Sequence, residues 1–503
     1  MYDESWRLPA IISSLVVPTM SEWRVVMDIL GREREIEALE NCYASDRSEF
    51  VAVYGRRRVG KTFLIKTLFK NRLDFYATGV LGGNNETQLS AWNSEVRQLG
   101  FEGISDASNW MDAFSNLNKA VEQLSKRGTS KKVTIFLDEV PWMAMQHSDF
   151  LSGLDYFWNR WASARDDVLL IICGSAATWI TENIVNNTGG LHNRLTRHIF
   201  LEPFNLYESE QYFKRQNIPM TRYQIAEAYM IFGGIPYYMD QFQPNLSLYQ
   251  NVDAIYFAQN AELRDELTNL YRSLFKNADA YMRVIEALAK KGSGMTRSEL
   301  IGVDGISNGG TLTKILRDLT LSGFVREYIS FGKKKKDSLY QLIDFFSLFD
   351  IRFRSRRAEY ASDFWLRFST TSAYGAWSGF AFEKLCLLHL SQIRKKLGIS
   401  GVLTSAFSWV GKDDDLGTQI DLVIDRSDKV INLCEIKFSS GEYQIDKKYS
   451  ELLRNKRTVF TNATNTRKAA ITTMITTFGL KKNIYSAEIV SEVVLNDLFE
   501  AQL

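Results

Sequence analysis

The chain has 503 residues, which at roughly 100–200 residues per domain predicts about three domains. Hydrophobic residues make up 45% and charged residues 24%, with 7 prolines, and this composition excludes a largely disordered protein. The 61 basic residues nearly cancel the 59 acidic ones, leaving a net charge of +2. A nucleic-acid surface spread over the whole molecule is thereby excluded, so any such surface must be local.

Residues 1–26 are interpreted as an N-terminal extension. The mildly apolar stretch from Ala10 to Val17 is short and follows acidic residues, which is unlike a signal peptide. No apolar run reaches the ~18 residues that a membrane helix needs. The four cysteines lack CxxC spacing, which favours a reducing compartment over a structural zinc site. We expect a soluble, cytoplasmic protein without a membrane partner, and translation from Met20 or Met27 is an alternative start.

A buried strand from Phe50 to Tyr54 runs into a glycine loop and then an apolar helical pattern. Gly55 and Gly60 allow backbone N–H groups to turn toward phosphate oxygens at the positive end of the helix dipole. Lys61 would bind the β- and γ-phosphates of ATP, and Thr62 would ligate Mg²⁺. The alternative is a basic loop without a ligand. The candidate nucleotide-binding residues here are Gly55, Arg56, Arg57, Arg58, Val59, Gly60, Lys61, Thr62 and Phe63.

A second apolar run, from Val133 to Leu137, ends in two acids. We expect its strand to lie beside the glycine-loop strand, so that both carboxylates meet the ligand at the carboxyl edge of the sheet. Asp138 is assigned to the Mg²⁺ shell. Glu139 is assigned as the base that orients or deprotonates the attacking water.

A third strand, from Val168 to Cys173, leads into Ser175. This serine is expected to hydrogen-bond the γ-phosphate or the water, and its alternative is a cap on the next turn. Arg194 and Arg197 precede a further apolar run, and Arg194 is ranked first as a contact to the γ-phosphate of its own or a neighbouring subunit. A contact to a neighbour would require a homo-oligomer. The alternative for both arginines is a solvated surface.

Five ordered segments together resemble the prokaryotic, archaeal-type ATPase family, which is similar to AAA+ and STAND ATPases: Gly31 to Ile36, Tyr54 to Thr62, Leu137 to Trp142, Cys173 to Ser175, and Gly233 to Tyr238. The resemblance implies that Gly31 and Arg32 lie beside the adenine. It also implies an ATPase core over 27–204, a helical lid over 205–275 and a winged helix over 276–345. The sequence fits this order, because aromatic-rich helical patterns follow Asn205 and a glycine-proline corner interrupts them at 233–236.

The winged-helix prediction uses a helix from Tyr281 to Ala289, a capping box from Thr296 to Glu299 and a helix from Leu312 to Leu319. A hairpin would follow, with four lysines at its tip between Gly332 and Lys336. These lysines are expected either to meet a phosphate backbone or to remain a solvated turn.

Residues 346–373 are interpreted as a linker, and a new domain is predicted over 374–503. A long helix from Phe380 to Leu390 precedes two adjacent strands, over 419–425 and 430–438, that read as a hairpin. Asp421 opens the first strand, and Glu435 and Lys437 share one face of the second. Two such carboxylates could hold Mg²⁺, and the lysine could orient water during phosphodiester cleavage.

With Glu383 on the preceding helix, this set resembles the PD-(D/E)xK nuclease family, although Ile420 stands where that family often has proline. The alternative is that these are ordinary strand polars joined by a salt bridge. The predicted fold class is α/β: a P-loop NTPase parallel-sheet core with a helical lid, a winged-helix domain and a C-terminal α/β restriction-endonuclease-like domain.

The predicted function is an ATP-hydrolysing, Mg²⁺-dependent switch coupled to a nuclease-like domain that acts on DNA or RNA. The alternative is an ATP-dependent regulatory or scaffolding module that binds DNA or protein through an inactive C-terminal domain.

Overall fold

The computed structural model describes residues 29–128, 130–145, 148–186, 190–191, 193–332, 337–358, 363–411 and 418–501. The predicted N-terminal extension and the four lysines of the predicted hairpin tip lie outside these residues. Within them, no helix is both long and apolar enough to span a bilayer.

The helices of the first half are α1 (Glu33–Ala44), α2 (Lys61–Leu68), α3 (Asn85–Gln98), α4 (Trp110–Arg127), α5 (Val140–Met143), α6 (Phe150–Arg160), α7 (Ala177–Ile180), α8 (Leu206–Arg215), α9 (Arg222–Phe232), α10 (Pro236–Met239) and α11 (Leu248–Val252). Those of the second half are α12 (Glu266–Leu274), α13 (Ala278–Lys290), α14 (Arg297–Ile301), α15 (Gly310–Leu321), α16 (Phe345–Phe353), α17 (Phe364–Phe368), α18 (Ser372–Leu388), α19 (Leu390–Lys396) and α20 (Lys447–Thr464).

The strands are β1 (Glu49–Gly55), β2 (Phe75–Thr78), β3 (Val133–Asp138), β4 (Val168–Gly174), β5 (Arg197–Leu201), β6 (Met295–Thr296), β7 (Val325–Tyr328), β8 (Leu339–Leu342), β9 (Thr404–Gly411), β10 (Thr418–Arg426), β11 (Val430–Lys437), β12 (Ala469–Thr476) and β13 (Ser491–Val494).

The first sheet is parallel, with the strand order β2-β3-β4-β1-β5. Every residue of β3 and β4 is buried, because helices cover both faces of the sheet and the strands are largely apolar. The expectation that β3 lies beside β1 is wrong, since β4 pairs with both and separates them. All five strands still end at one edge, so Asp138 reaches the glycine loop across β4.

The glycine-proline corner has the predicted form. Helix α9 ends at Phe232, Gly233 adopts a left-handed conformation with φ of +70°, and α10 begins at Pro236. Gly234 is required by packing as well, because a Cβ there would lie 2.1 Å from the carbonyl oxygen of Phe204. The corner therefore fixes α10 against the segment that follows β5.

A three-stranded antiparallel sheet with order β6-β8-β7 follows, together with α13, α14 and α15. The predicted capping box is present, since the side chain of Thr296 accepts from the Glu299 N–H and the Glu299 carboxylate accepts from the Thr296 N–H. The elements occur in the order that the winged-helix prediction requires. The winged-helix assignment itself stays a prediction.

The last sheet has the order β13-β12-β11-β10-β9, antiparallel from β9 to β11 and parallel from β11 to β13. Cys434 and Ile436 share a core with α18, whereas Ile431 and Leu433 pack with Phe460 of α20. The two helices therefore cover opposite faces of the sheet. The four cysteines are buried free thiols.

Candidate functional site

The glycine loop begins where β1 meets β5. Gly55 has φ of +148°, and a Cβ at this position would lie 2.4 Å from the carbonyl oxygen of Leu201, so only glycine fits. Gly60 is left-handed, with φ of +94°, and it is the N-cap of α2. The amide groups of the first turn of α2 therefore face the loop interior, where a phosphate would meet the positive end of the helix dipole.

Lys61 and Thr62 occupy the first turn of α2. The buried Lys61 ammonium donates to the carbonyl oxygens of Gly55 (3.0 Å) and Arg56 (2.8 Å), which holds it inside the loop. The Thr62 hydroxyl donates to Oδ2 of Asp138 at 2.7 Å. A hydroxyl and a carboxylate oxygen side by side are the oxygen ligands that Mg²⁺ prefers, so these two residues fit the predicted ion.

Glu139 adopts a left-handed backbone conformation, with φ of +47° and ψ of +46°, directly after β3. Its Oε2 accepts hydrogen bonds from the Ser175 hydroxyl (2.9 Å) and the Ser175 N–H (3.1 Å). A strained backbone at a non-glycine residue is a feature that accumulates at functional sites. The structure therefore joins Ser175 to the carboxylate of Glu139, a contact that the sequence does not indicate.

The segment before α1 is fixed to the same loop. Gly31 and Arg32 have positive φ values of 64° and 69°. The buried Arg32 guanidinium lies over the ring of Phe204 at 4.7 Å and donates a long hydrogen bond of 3.4 Å to the carbonyl oxygen of Val59. Burial lowers the pKa of Arg32. A Cβ at Gly31 would lie 2.9 Å from Oε1 of Glu208, so this glycine permits the close approach of α8.

Arg194 lies at the other end of the sheet. It precedes β5, and the N–H of the neighbouring Thr196 donates to the carbonyl oxygen of Phe50 near the start of β1. Five residues of strand, or roughly 17 Å, separate that point from Gly55. The exposed Arg194 is therefore distant from the glycine loop of its own chain, and its contact to the γ-phosphate stays a prediction. Arg197 likewise opens β5, and it opposes the rise that burial gives to the pKa of the Cys42 thiol.

The C-terminal acidic site lies at an irregularity in β10. The register with β9 shifts between Ile420 and Val423, so Asp421 sits inside the strand at a bulge and does not open it as expected. Its Oδ2 accepts the N–H of Ile436 at 3.1 Å, which ties the bulge to β11. Burial and the charge of Glu435 raise the pKa of Asp421 to about 6.

Glu435 and Lys437 form a salt bridge, at 2.9 Å between Nζ and Oε1, as the alternative to the nuclease-like site predicts. Burial alone would raise the pKa of Glu435, but Lys437 and Lys456 outweigh burial and hold the pKa below its usual range. Glu383 of α18 lies near enough for the charges of Asp421 and Glu435 to act on it. Burial and the charge of Asp421 raise the pKa of Glu383 to about 7. The structure thus brings together Asp421, Glu435, Lys437 and Glu383.

Two residues of this site were missed by sequence reasoning, and both come from α20. The Tyr449 hydroxyl donates to Oε1 of Glu435 at 2.8 Å, and the Lys456 ammonium donates to Oε2 at 2.7 Å. They are seven residues apart and so lie two turns apart on one face of the helix. A search for polar residues on the apolar face of this helix would have found both.

The oxygen donors of Asp421 and Glu435 suit a divalent cation in their chemistry. Within the residues that the structure describes, however, no group of three or more His, Cys, Asp or Glu side chains is arranged to hold a metal. Both carboxylate oxygens of Glu435 already accept bonds from Tyr449 and the two lysines. The predicted cation at this site therefore stays a prediction.

Comparison with known proteins bears on the first half of the chain. The sequence model of a family described as an ATPase domain predominantly from Archaea matches residues 29–242. The chain carries an archaeal-type ATPase domain. The resemblance of the glycine-loop half to this family is thereby confirmed, whereas the resemblance of residues 374–503 to PD-(D/E)xK nucleases stays a prediction.

Two relatives come from Methanocaldococcus jannaschii. An uncharacterized protein is 24% identical over 435 residues, which are 86% of this chain and 92% of the relative. An uncharacterized ATP-binding protein is 38% identical over 47 residues, which are 9% of this chain and 80% of the relative.

Two solved structures are similar to part of this chain. The Walker-type ATPase of Pyrococcus abyssi is 16% identical, with a TM-score of 0.47, over 65% of this chain and 97% of that chain. The ORC2 protein of Aeropyrum pernix, solved as ADPNP and ADP complexes, is 14% identical, with a TM-score of 0.40, over 65% of this chain and 95% of that chain.

In the ATPase domain, two loop arginines are tied to residues far along the chain. Arg56 forms a buried ion pair with Asp344, immediately before α16, and lies over the ring of Phe324 at 4.8 Å. Asp344 outweighs burial and raises the pKa of Arg56. Three buried guanidinium nitrogens of the loop, Nε and Nη2 of Arg56 and Nη1 of Arg58, have no hydrogen-bond partner among the residues that the structure describes.

Arg58 is tied to the helical segment after the ATPase domain. Its guanidinium pairs with Glu266 of α12 at 3.0 Å and stacks on the ring of Tyr237 of α10 at 3.8 Å. Burial raises the pKa of Glu266. Of the remaining loop residues, Val59 is buried, Arg57 is partly exposed and Phe63 presents 57% of its surface to solvent.

Proposed function

We propose that the protein is a Mg²⁺-dependent ATPase whose nucleotide state repositions the helices that follow the ATPase domain. The observation that supports this best is the meeting of Thr62 with Asp138 at 2.7 Å and of Ser175 with Glu139 at 2.9 Å. These two contacts join the residues assigned to Mg²⁺ and join the assigned base to a hydroxyl, which supports the proposed roles.

The chain's own groups divide the chemistry as follows. Lys61 would leave its two carbonyl partners and bind the β- and γ-phosphate oxygens. Thr62 and Asp138 would hold Mg²⁺, which when bound neutralises phosphate charge. Glu139 would accept a proton from the attacking water or orient it, with its carboxylate fixed by Ser175. Gly31 and Arg32 would border the adenine.

The ATPase proposal is tested with two variants. Lys61→Ala should lose binding of Mg·ATP as well as turnover, because it removes the phosphate-binding ammonium. Glu139→Gln should still bind Mg·ATP but lose hydrolysis by at least about 100-fold, because it removes only the base. Calorimetry measures binding, and phosphate release measures turnover. Ordinary hydrolysis by either variant would contradict the assignment.

Arg56 and Arg58 support the switch. Both belong to the loop that would close on phosphate, and their partners lie on the segments assigned to the helical lid (205–275) and the end of the winged helix (276–345). Entry of a triphosphate would offer these guanidinium groups a competing anion. A change of loop partners would then move α10, α12 and the start of α16.

For the C-terminal domain we propose metal-dependent cleavage of nucleic acid, supported by the gathering of Asp421, Glu435, Lys437 and Glu383 at the bulge in β10. Asp421 and Glu435 would hold the cation, and Lys437 would orient water. In the test, plasmid or single-stranded DNA or RNA is incubated with the protein, Mg²⁺ or Mn²⁺ and ATP. Cleavage that disappears in Lys437→Ala while ATP hydrolysis persists supports the proposal.

The second candidate is a regulatory or scaffolding ATPase that binds DNA or protein through an inactive C-terminal domain. It is favoured by the occupation of both Glu435 oxygens by Lys437, Lys456 and Tyr449. Salt-sensitive binding of nucleic acid without cleavage, in the same assay, would select this candidate.

A homo-oligomer in which Arg194 acts in trans is part of the proposal, and its exposed position before β5 is compatible with that role. Mass measurement with and without ATP tests it. An assembly that forms with ATP and loses its activity in Arg194→Ala would support trans action, and a monomer under both conditions would contradict it.

A further inference from the structure

Helix α20 packs on the C-terminal sheet through one stripe of side chains. Leu453 and Phe460 are buried on this stripe, and Tyr449 and Lys456 complete it at the spacing 449, 453, 456 and 460. An amphipathic helix would ordinarily carry an apolar residue at position 456. A lysine there faces the sheet and not the solvent, with only 17% of its side chain exposed.

The ammonium of Lys456 is directed at one carboxylate. It lies 2.7 Å from Oε2 of Glu435, whose side chain is 6% exposed, while Lys437 holds Oε1 at 2.9 Å. Lys456 also acts electrostatically on Asp421. With Glu383, the site thus holds three carboxyl groups and two ammonium groups, and each Glu435 oxygen faces one of the ammonium groups.

A divalent cation and an ammonium group compete for the same carboxylate oxygens, because both are attracted by the same negative charge and repel each other. The structure shows one state of this arrangement, and binding of a cation would produce a second. In one, Lys456 neutralises Glu435. In the other, a cation binds Asp421 and Glu435, and Lys456 must find another anion within reach of α20. A phosphate of the nucleic-acid backbone is the anion that a point-charged ammonium binds well.

We propose that Lys456 is a built-in counter-ion of Glu435 that leaves the carboxylate when a divalent cation binds and then contacts a phosphate oxygen of nucleic acid. This inference rests on the proposed nucleic-acid role of the C-terminal domain and assigns that role a further phosphate-binding residue. The inference does not require cleavage, because it concerns only what Glu435 and Lys456 bind in each state.

The first test measures Mn²⁺ binding to the whole 503-residue protein by calorimetry, without nucleic acid. The heat that is lost in Asp421→Asn is taken as the heat of Mn²⁺ binding at the C-terminal site. Lys456→Gln should bind Mn²⁺ at this site about tenfold more tightly than the unmodified protein, because a competing positive charge is gone. Lys456→Arg, which keeps the charge, should remain close to the unmodified protein, and so should Lys448→Gln, an exposed lysine on the same helix.

A lysine that only supports the fold would give the opposite result. Lys456→Gln would then weaken Mn²⁺ binding or leave it unchanged, and either outcome overturns the proposal. Thermal unfolding of each variant shows that the fold is kept. An intact fold with tightened Mn²⁺ binding supports the counter-ion role even if the unmodified protein never cleaves nucleic acid, so failure of the nuclease proposal remains distinguishable.

The second test is the salt dependence of binding to a 20-base-pair DNA duplex in the presence of Mn²⁺, performed under conditions in which the DNA remains intact. Loss of one phosphate contact should reduce the slope of log affinity against log salt by about one. We expect this reduction in Lys456→Gln and not in Lys456→Arg. An unchanged slope in Lys456→Gln would overturn the phosphate contact.

Discussion

At the scale of single residues, the ion pair between Arg56 and Asp344 joins positions 288 residues apart and is almost wholly buried. Asp344 has a second role, because it is the N-cap of α16 and accepts the Ser347 N–H at 2.8 Å. Asparagine keeps the cap but not the charge. Asp344→Asn therefore isolates the cost of leaving the Arg56 guanidinium buried without a counter-charge.

We expect Asp344→Asn to lower the free energy of unfolding by about 3 kcal/mol, since removal of one partner of a buried pair leaves an uncompensated charge. At about 2–4 °C per kcal/mol for a domain of about 150–250 residues, the thermal midpoint should fall by roughly 6–12 °C. Asp106→Asn is the matched control, because its pair with Arg97 is more than half exposed and should contribute under about 1 kcal/mol. Equal midpoints for both variants would contradict the buried-pair interpretation.

Ser175 provides a second prediction at this scale. Its hydroxyl and its backbone N–H both hold Oε2 of Glu139, so Ser175→Ala removes one of two hydrogen bonds. A lost hydrogen bond to a charged group costs about 1.5–3 kcal/mol. We therefore expect kcat for ATP to fall roughly 10- to 100-fold, while KM changes little because the phosphate contacts remain.

Steady-state kinetics with the exposed Ser163→Ala as control measure the effect of Ser175→Ala. A rise in KM at unchanged kcat would assign Ser175 to ATP binding and refute a role in orienting Glu139.

At the scale of elements, α9 carries a buried carboxyl group that faces the C-terminal half. Glu227 is 1% exposed and accepts from the hydroxyl of Tyr374 on α18 and, at 3.3 Å, from that of Tyr249 on α11. Burial raises the pKa of Glu227 from 4.5 to about 7. The folded protein therefore holds this proton over a pH range in which the unfolded chain has released it.

The sign of the pH effect follows from linkage. The protonated carboxyl favours the fold below pH 4.5, and this contribution is lost as the pH rises to about 7. Glu227→Gln cannot ionise and should be more stable than the unmodified protein at pH 8 by up to roughly 3 kcal/mol, with little gain at pH 4.5.

Thermal unfolding at the two pH values measures the difference. Glu262→Gln is the control, since the exposed Glu262 also accepts from a tyrosine hydroxyl, at 2.7 Å from Tyr237. The same gain at both pH values would show that the effect of Glu227→Gln is not protonation.

At the scale of the whole molecule, α9 connects the two candidate sites. Its Tyr223 stacks on Phe438 at 5.0 Å with an interplanar angle of 15°, and on Phe478 at 5.5 Å. Phe438 follows Lys437 directly in sequence and also contacts Phe382, the neighbour of Glu383, at 5.1 Å. The far end of α9 leads into α10, where Tyr237 stacks on Arg58 of the glycine loop.

This contact yields a prediction about coupling. In Glu139→Gln, which traps ATP, Mg·ATP should increase protection of the amides around Phe438 from hydrogen exchange, because movement of α9 reaches β11 through the stacked rings. Tyr223→Ala in the same background should lose the change in protection near Phe438 and keep the protection of the glycine loop. If the change near Phe438 persists in Tyr223→Ala, transmission through the Tyr223 ring is refuted.

The sequence by itself determined the elements whose information is local. The glycine loop is contiguous in sequence, with glycines at the positions that need positive φ. Eight residues, from Gly55 to Thr62, therefore predict the turn between the strand and the helix. The apolar runs of β1, β3 and β4, the Thr296 capping box and the corner before Pro236 are likewise short patterns read within a few residues. The proximity of Asp421, Glu435 and Lys437 was predicted from a hairpin in which successive side chains alternate between the two faces of the sheet.

Only the tertiary structure decided the arrangements that depend on distant partners. Strand order placed β4 between β1 and β3 and put Arg194 at the edge of the sheet away from the loop. Packing paired Arg56 with Asp344 and turned Lys456 toward Glu435. A side-chain type and a spacing along the chain fix which face of an element is buried, but not which element covers it, because the partner is selected by long-range packing of the whole fold.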